Sequence, residues 1–202
     1  MSTTSARTNF DALLSTLADE FEREGRPGGT LAANTLRDCR NRVFRRAAQG
    51  ADPGSILHAA CTLADALPMV SHVLGCRSLL DWTNWTGEGL DDGVSAKLFS
   101  TELIGPDGHI PADDVRVGLL VSDTHIDYPV SSHSGEETYL VLAGLAEWTV
   151  AGSPYTARSP GTLIHHPAWV PHGRRTSDQP FLGAWRWSGD LDLSTFRVGT
   201  EK

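Results

Sequence analysis

Tyr128-Pro-Val-Ser-Ser-His-Ser-Gly-Glu-Glu-Thr-Tyr-Leu-Val-Leu-Ala-Gly144 decides how this chain is read, and Gly161-Thr-Leu-Ile-His-His-Pro-Ala-Trp-Val-Pro-His172 completes the reading. The first run carries His133 and Glu137 four residues apart, and His172 follows Glu137 by about 35 positions. An imidazole–carboxylate–imidazole set binds a divalent transition metal and leaves coordination positions open, which is the arrangement of a catalytic rather than a structural site. Residues two apart on a strand share a face. His133, Glu137 and Tyr139 share one parity, so a continuous strand would aim all three into one interior. Gly144 permits a tight turn, and Glu147-Trp148-Thr149-Val150 reads as the return strand of a hairpin. Taken singly, either histidine reads as a surface or hydrogen-bonded residue and Glu137 as a solvated charge; the joint spacing is what favours a metal. His165 and His166 alternate sides of a strand, so no more than one faces the interior, and neither is counted as a ligand. His125 is placed behind the site or in solvent.

Around these runs, short apolar segments alternate with turn residues: Lys97–Leu103, Val115–Ser122, Glu137–Leu142, Ala146–Ala151, Gly161–His165 and Phe181–Trp187. That spacing predicts an all-β sandwich or barrel. Upstream, Phe10, Leu13, Leu14, Leu17 and Phe21 recur at helical steps and form one apolar stripe. A second helix is predicted over Leu31–Ala48, with Leu36, Val43, Phe44 and Ala47 on its buried face. A third is predicted from Ser55, as its cap, to about Leu67. The Gly- and Asp-rich stretch 82–93 reads as a loop or linker. The division is a helical region over 1–90 and a β-barrel with the metal site over 91–202.

Composition narrows the function. The chain has 202 residues, 40% hydrophobic and 21% charged, an ordinary globular balance. A net charge of -8 argues against nucleic acid or an anionic membrane surface as partner. No apolar run approaches the ~20 residues that span a bilayer, and the polar N-terminus lacks a signal-like apolar core. Cys39, Cys61 and Cys76 are odd in number and widely spaced, and read as free thiols in a reducing compartment. These features point to the cytoplasm and to a small-molecule substrate, with a homodimer left open.

The two opening runs resemble the signature motifs of the cupin superfamily, small β-barrels that hold one divalent metal. His133, Glu137 and Gly144 match the first motif, and Gly161, Pro167 and His172 the second. Ser131 stands where a first histidine is expected, His125 where a glycine is, Trp169 where a second glycine is, and Thr176 where an asparagine is. Over residues 125–192 the chain is more closely similar to the cupin-type dimethylsulfoniopropionate (DMSP) lyases. The likeness lies in the Tyr128-Pro start, Glu137-x-Tyr139, Leu142-x-Gly-x-Ala-x-Trp148 and Trp185-Arg-Trp-Ser-Gly-Asp190. This resemblance implies a cupin barrel behind an N-terminal helical region and β-elimination of DMSP to dimethyl sulfide and acrylate. His133, Glu137 and His172 would hold one divalent transition metal (Zn, Fe, Mn, Ni or Co). Tyr139 would be the base, and Tyr128, Trp187 and Ser131 would face the substrate. With serine at 131, His125, a water or Tyr139 is left to complete the ligand set.

The chemistry suits those residues. The proton α to a carboxylate anion is weakly acidic, and a metal binding the carboxylate stabilises the enolate-like transition state. A nearby cation also favours the phenolate of a tyrosine. The sulfonium cation lacks hydrogen-bond donors and suits aromatic faces, with Trp148, Trp169, Trp185, Trp187 and Tyr128 as candidates. Trp185 and Trp187 share a strand face, and Arg186 points the other way. Two other readings remain: a cupin dioxygenase or isomerase acting on a small acid, and a cupin that binds a ligand without turnover.

Overall fold

The structure is a computed structural model that describes residues 3–45 and 50–199. It is mainly β, with helices gathered at the N-terminal side. The first helix, α1 (Thr3–Arg23), buries Phe10, Leu13, Leu14, Leu17 and Phe21 completely, as the stripe predicts. The second, α2, runs over Pro27–Cys39 rather than Leu31–Ala48. Pro27 occupies the first turn, where its missing N–H has no partner to lose. Gly28 is a packing residue rather than a breaker: a Cβ there would lie 2.3 Å from Ser188 Oγ and 2.6 Å from Arg186 Nη1. The helix stops at Cys39, and Asn41 turns left-handed with φ 63. Leu36 is buried and Phe44 packs on Phe10 at 4.5 Å, but Val43 is 88% exposed; Ala47 lies outside the described residues.

The predicted third helix is shorter than Ser55–Leu67. This helix, α3 (Gly54–Cys61), is not capped by Ser55, because the cap position is Pro53 and makes no side-chain bond. Thr62 Oγ1 donates back to the His58 carbonyl at 3.0 Å and the helix ends. A separate α4 (Val70–Cys76) follows, and a one-turn α5 (Asp92–Ser95) is capped by Asp91, whose carboxylate accepts from Gly93 and Val94 N–H.

Among the described residues, eleven strands form two antiparallel sheets. They are β1 (Thr83–Asn84), β2 (Leu98–Ile104), β3 (Val115–Ser122), β4 (Asp127–Ser132), β5 (Glu136–Ala143), β6 (Ala146–Val150), β7 (Thr156–Arg158), β8 (Leu163–His166), β9 (His172–Thr176), β10 (Phe181–Ser188) and β11 (Arg197–Val198). The larger sheet has the order β1-β2-β3-β10-β5-β8 and the smaller β11-β4-β9-β6-β7. The stretch 82–93 is therefore not all loop, since β1 pairs with β2.

Two buried clusters lie on opposite faces of the larger sheet. Val115, Val117, Leu119 and Val121 of β3 and Leu182 and Ala184 of β10 pack against the helices. Leu120, Phe181, Trp185 and Trp187 turn inward, with Tyr128, Tyr139, Trp148 and Phe196. Both faces are covered, so β3 and β10 read as continuous buried runs rather than alternating ones. Full burial of each large apolar side chain contributes about 1.5–3 kcal/mol.

Gly144 has φ 78, and a Cβ there would meet the Pro180 carbonyl oxygen at 2.0 Å, so glycine is required. The turn does not close a hairpin. The strand before it pairs with β10 and β8, whereas β6 pairs with β7 and β9. Gly144 carries the chain from one sheet to the other across a barrel edge.

Candidate metal centre and pocket

His133, Glu137 and His172 converge, each offering a ligand atom within 4.8 Å of the others, and all three are buried. They do not arrive on one continuous strand, as parity suggests. β4 ends at Ser132, His133 sits in the turn that follows, and Glu137 is on β5 in the other sheet. His172 opens β9. The site thus joins both sheets.

The hydrogen bonds orient each ring. His133 Nδ1 lies 3.0 Å from the Gly135 carbonyl and His172 Nδ1 lies 2.9 Å from the Val170 carbonyl. A carbonyl only accepts, so both Nδ1 atoms carry their protons and both Nε2 atoms turn toward Glu137. His133 Nε2 is 3.4 Å and His172 Nε2 3.5 Å from Glu137 Oε2. Burial pushes the His172 imidazole down to about 3, so its Nε2 is a lone pair. Burial opposes the charged form of Glu137, but its interactions with His133 and His166 outweigh that and hold the carboxyl well below its usual range. The two Nε2 atoms and Glu137 Oε2 face one another within 4.8 Å. Two imidazoles, each ring held through Nδ1 by a backbone carbonyl behind it, and a carboxylate fit a divalent transition metal.

His166 enters where sequence reasoning left it out. Its Nδ1 is 2.9 Å from Glu137 Oε2, and its Nε2 accepts from Trp148 Nε1 at 3.1 Å. Trp148 can only donate, so His166 is protonated at Nδ1 and donates to Glu137. It stacks on His172 at 3.8 Å. Trp187 Nε1 donates to Glu137 Oε1 at 2.7 Å and its ring stacks on His133 at 4.0 Å. His165 faces the other way, toward Thr138 at 3.1 Å and Glu24 at 3.7 Å, so the alternation predicted for the pair holds. His125 is exposed beside Asp178 and is not among the converging donors.

A recess with about 550 Å3 of empty space, part of it open to solvent, adjoins this centre. Tyr128, Tyr139 and Trp187 line it, together with Trp148 and Trp185. Trp169 is 56% exposed and lies outside it. Ser131 is fully buried but does not line the recess, and its hydroxyl has no hydrogen-bond partner. Burial raises the phenol of Tyr139, and the Glu137 carboxylate raises it further while Arg174 lowers it. Burial pushes the Tyr128 phenol up to about 12, and its oxygen accepts from Trp85 Nε1 at 2.9 Å.

Trp85, Arg174 and Phe196 also line the recess and were not singled out from sequence. Arg174 was legible: it lies two residues beyond His172 and shares its strand face. Trp85 and Phe196 come from outside the main strands, and no local pattern marks them.

The two sheets with one buried donor set between them define a cupin-like barrel. Over residues 54–183 the sequence matches the dimethylsulfoniopropionate lyase family, and the chain belongs to that family. It is 37% identical over 92 residues to dimethylsulfoniopropionate lyase DddQ of Ruegeria pomeroyi, covering 46% of each chain. It is 30% identical over 104 residues to putative dimethylsulfoniopropionate lyase DddL of Cereibacter sphaeroides, covering 50% of this chain and 43% of the relative. The match thus spans about half the length of these curated relatives. The fold is similar to that of DMSP lyase DddQ from Ruegeria pomeroyi DSS-3, with TM-score 0.69 and 23% identity over 93% of this chain and 96% of that one. A chain from the crystal structures of DMSP lyases RdDddP and RnDddQII gives TM-score 0.73 and 21% identity over 96% and 100%.

Proposed function

We propose that the protein is a metal-dependent lyase that cleaves DMSP to dimethyl sulfide and acrylate by β-elimination. The observation that carries this reading is a buried His133–Glu137–His172 donor set beside Tyr139 in the recess of a chain from the DMSP lyase family. The three donors would hold one divalent transition metal, with the other rings of the site aligning them. A cation held there supplies positive charge that favours the Tyr139 phenolate and the negative charge developing on the substrate.

Tyr139 takes the proton from the carbon α to the carboxylate. The electron pair of that C–H bond forms the double bond of acrylate. The bond from the β-carbon to sulfur breaks, and its electrons leave on sulfur as neutral dimethyl sulfide. Tyr139 then returns the proton to solvent. His166 and Trp187 each hold one oxygen of Glu137, which fixes the carboxylate toward the donors. The aromatic lining excludes water and strengthens the electrostatic interactions within the recess.

The test is headspace dimethyl sulfide from metal-reconstituted protein supplied with DMSP, beside a chelated sample. Gas only from the metal-loaded sample is expected. Absence of gas with metal bound at one equivalent would overturn the lyase reading.

A further inference from the structure

Among the described residues that line the recess, Arg174 alone has buried side-chain nitrogens without a hydrogen-bond partner. It lies on β9, 3% exposed, opposite Tyr128 on β4 and Trp148 on β6. Its guanidinium is packed among ring faces: 4.8 Å from Tyr128, 5.5 Å from Tyr139, 5.6 Å from Trp148 and 5.5 Å from Phe181. Its Nε and Nη2 are buried and have no hydrogen-bond partner. Among the described residues no carboxylate forms an ion pair with it. Glu137, the acid of the same recess, is already engaged through Oε1 by Trp187 and through Oε2 by His166. Ring faces soften the desolvation of a guanidinium, but they do not satisfy its N–H groups.

We propose that Arg174 binds the carboxylate of a small zwitterionic substrate and so fixes which way round the substrate lies. Two free N–H groups on one planar fork match the two oxygens of a carboxylate. The positive charge of Arg174 also repels the cationic end of the same molecule. That end is therefore directed away from the guanidinium and the ring faces it occupies, toward the rest of the recess lining. With the carboxylate anchored at Arg174 and the cation directed away from it, the α-carbon lies between them, in the recess that Tyr139 lines. The assignment rests on the lyase reading for the identity of the cationic group, and on the structure alone for the carboxylate.

The experiment is isothermal titration of the metal-loaded full chain with propionate, which has the carboxylate but no leaving group, and with neutral propionamide. Wild type is expected to bind propionate in preference to the amide. Arg174→Met should weaken propionate binding by ~10- to 100-fold, the range for loss of a charge-assisted hydrogen bond. Arg174→Lys, which keeps the charge without the fork, should recover part of it. With DMSP as substrate, Arg174→Met should raise KM by more than it lowers kcat. Equal propionate binding by wild type and Arg174→Met, or no preference of wild type for the acid over the amide, overturns the proposal. If Arg174→Met does not fold, Arg174→Gln makes the same comparison. Propionate binding that depends on Arg174 in a protein that makes no dimethyl sulfide would support this assignment while removing the lyase reading. Turnover of DMSP with propionate binding indifferent to Arg174 would do the reverse.

Discussion

Arg186 and Arg174 are both buried, one on each sheet, and their surroundings are opposite. Arg186, fully buried on the helix-facing side of β10, is saturated: Nη2 lies 2.5 Å from Glu24 and 2.9 Å from Glu136, and Nη1 donates to Ser188 at 3.0 Å. Arg174, inside the barrel, has no ion pair among the described residues and two idle nitrogens. A buried charge is costly unless it is paired and hydrogen-bonded. The paired arginine ties the end of the first helix to the sheet. The unpaired one lines the recess beside the His133–Glu137–His172 cluster. The same residue type therefore closes a structural network in one place and, on the reading proposed above, meets a ligand in the other.

That contrast is broken most severely by separating chemistry from stability. Tyr139→Phe should lower the turnover of DMSP by about 10^2- to 10^4-fold, the range for loss of a positioned general base. Bound metal and melting temperature should stay as in wild type, and a fully active variant would remove Tyr139 from its role. On the other side of the sheet, Arg186→Met should cost about 3–5 kcal/mol in urea unfolding, because Glu24 and Glu136 are left facing each other. Arg174→Met should leave the same quantity unchanged or raise it, since it removes a buried charge that has no ion pair among the described residues. Comparable losses in the two variants would erase the distinction.

A smaller effect should come from His109, which lies against Phe10 and Phe44 and whose Nε2 accepts from the Asp81 N–H at 3.2 Å. Burial lowers its pKa from 6.5. The unfolded chain then binds more protons than the folded one below that value, so the His109 contribution is present above about pH 6.5 and is lost as pH falls. His109→Gln should make stability fall less steeply on acidification, and identical slopes for the two proteins would refute the effect. The smallest change is expected at Trp169. It has φ 63 and stands where the cupin motif has glycine, while its N–H donates to the His133 carbonyl at 2.7 Å. A bulky residue in the left-handed region is strained, and glycine relieves this at some cost in unfolded-chain entropy. Trp169→Gly should therefore raise stability by less than about 1 kcal/mol. A clear loss in thermal melting would show that the exposed ring packs usefully.

Much of the fold was legible because apolar patterning survives in it. The stripe from Phe10 to Phe21 is the buried face of α1, and the six apolar runs become β2, β3, β5, β6, β8 and β10. The strands that were missed lack such a signal. β4 is Asp-Tyr-Pro-Val-Ser-Ser and β9 is His-Gly-Arg-Arg-Thr, whose polar residues alternate between the recess and solvent. Pro129 falls where the pairing of β4 with β9 loses register. The second helix begins earlier than expected, and its Gly28 and Gly29 make close contacts with β10 and with the end of α1.

What the sequence by itself determined was the donor set: the spacing of His133, Glu137 and His172 picks out three residues that the structure brings together. The alternation that turns Arg186 away from Trp185 and Trp187 was also local, because side-chain direction on a strand depends only on parity. Only the tertiary structure decided that His133 and Glu137 meet from different sheets, that His166 donates to the carboxylate, and that Arg174 Nε and Nη2 have no hydrogen-bond partner. Those facts depend on which strands lie side by side and on which charges are already matched. Both are set by contacts between residues distant in the chain, and no local pattern carries them.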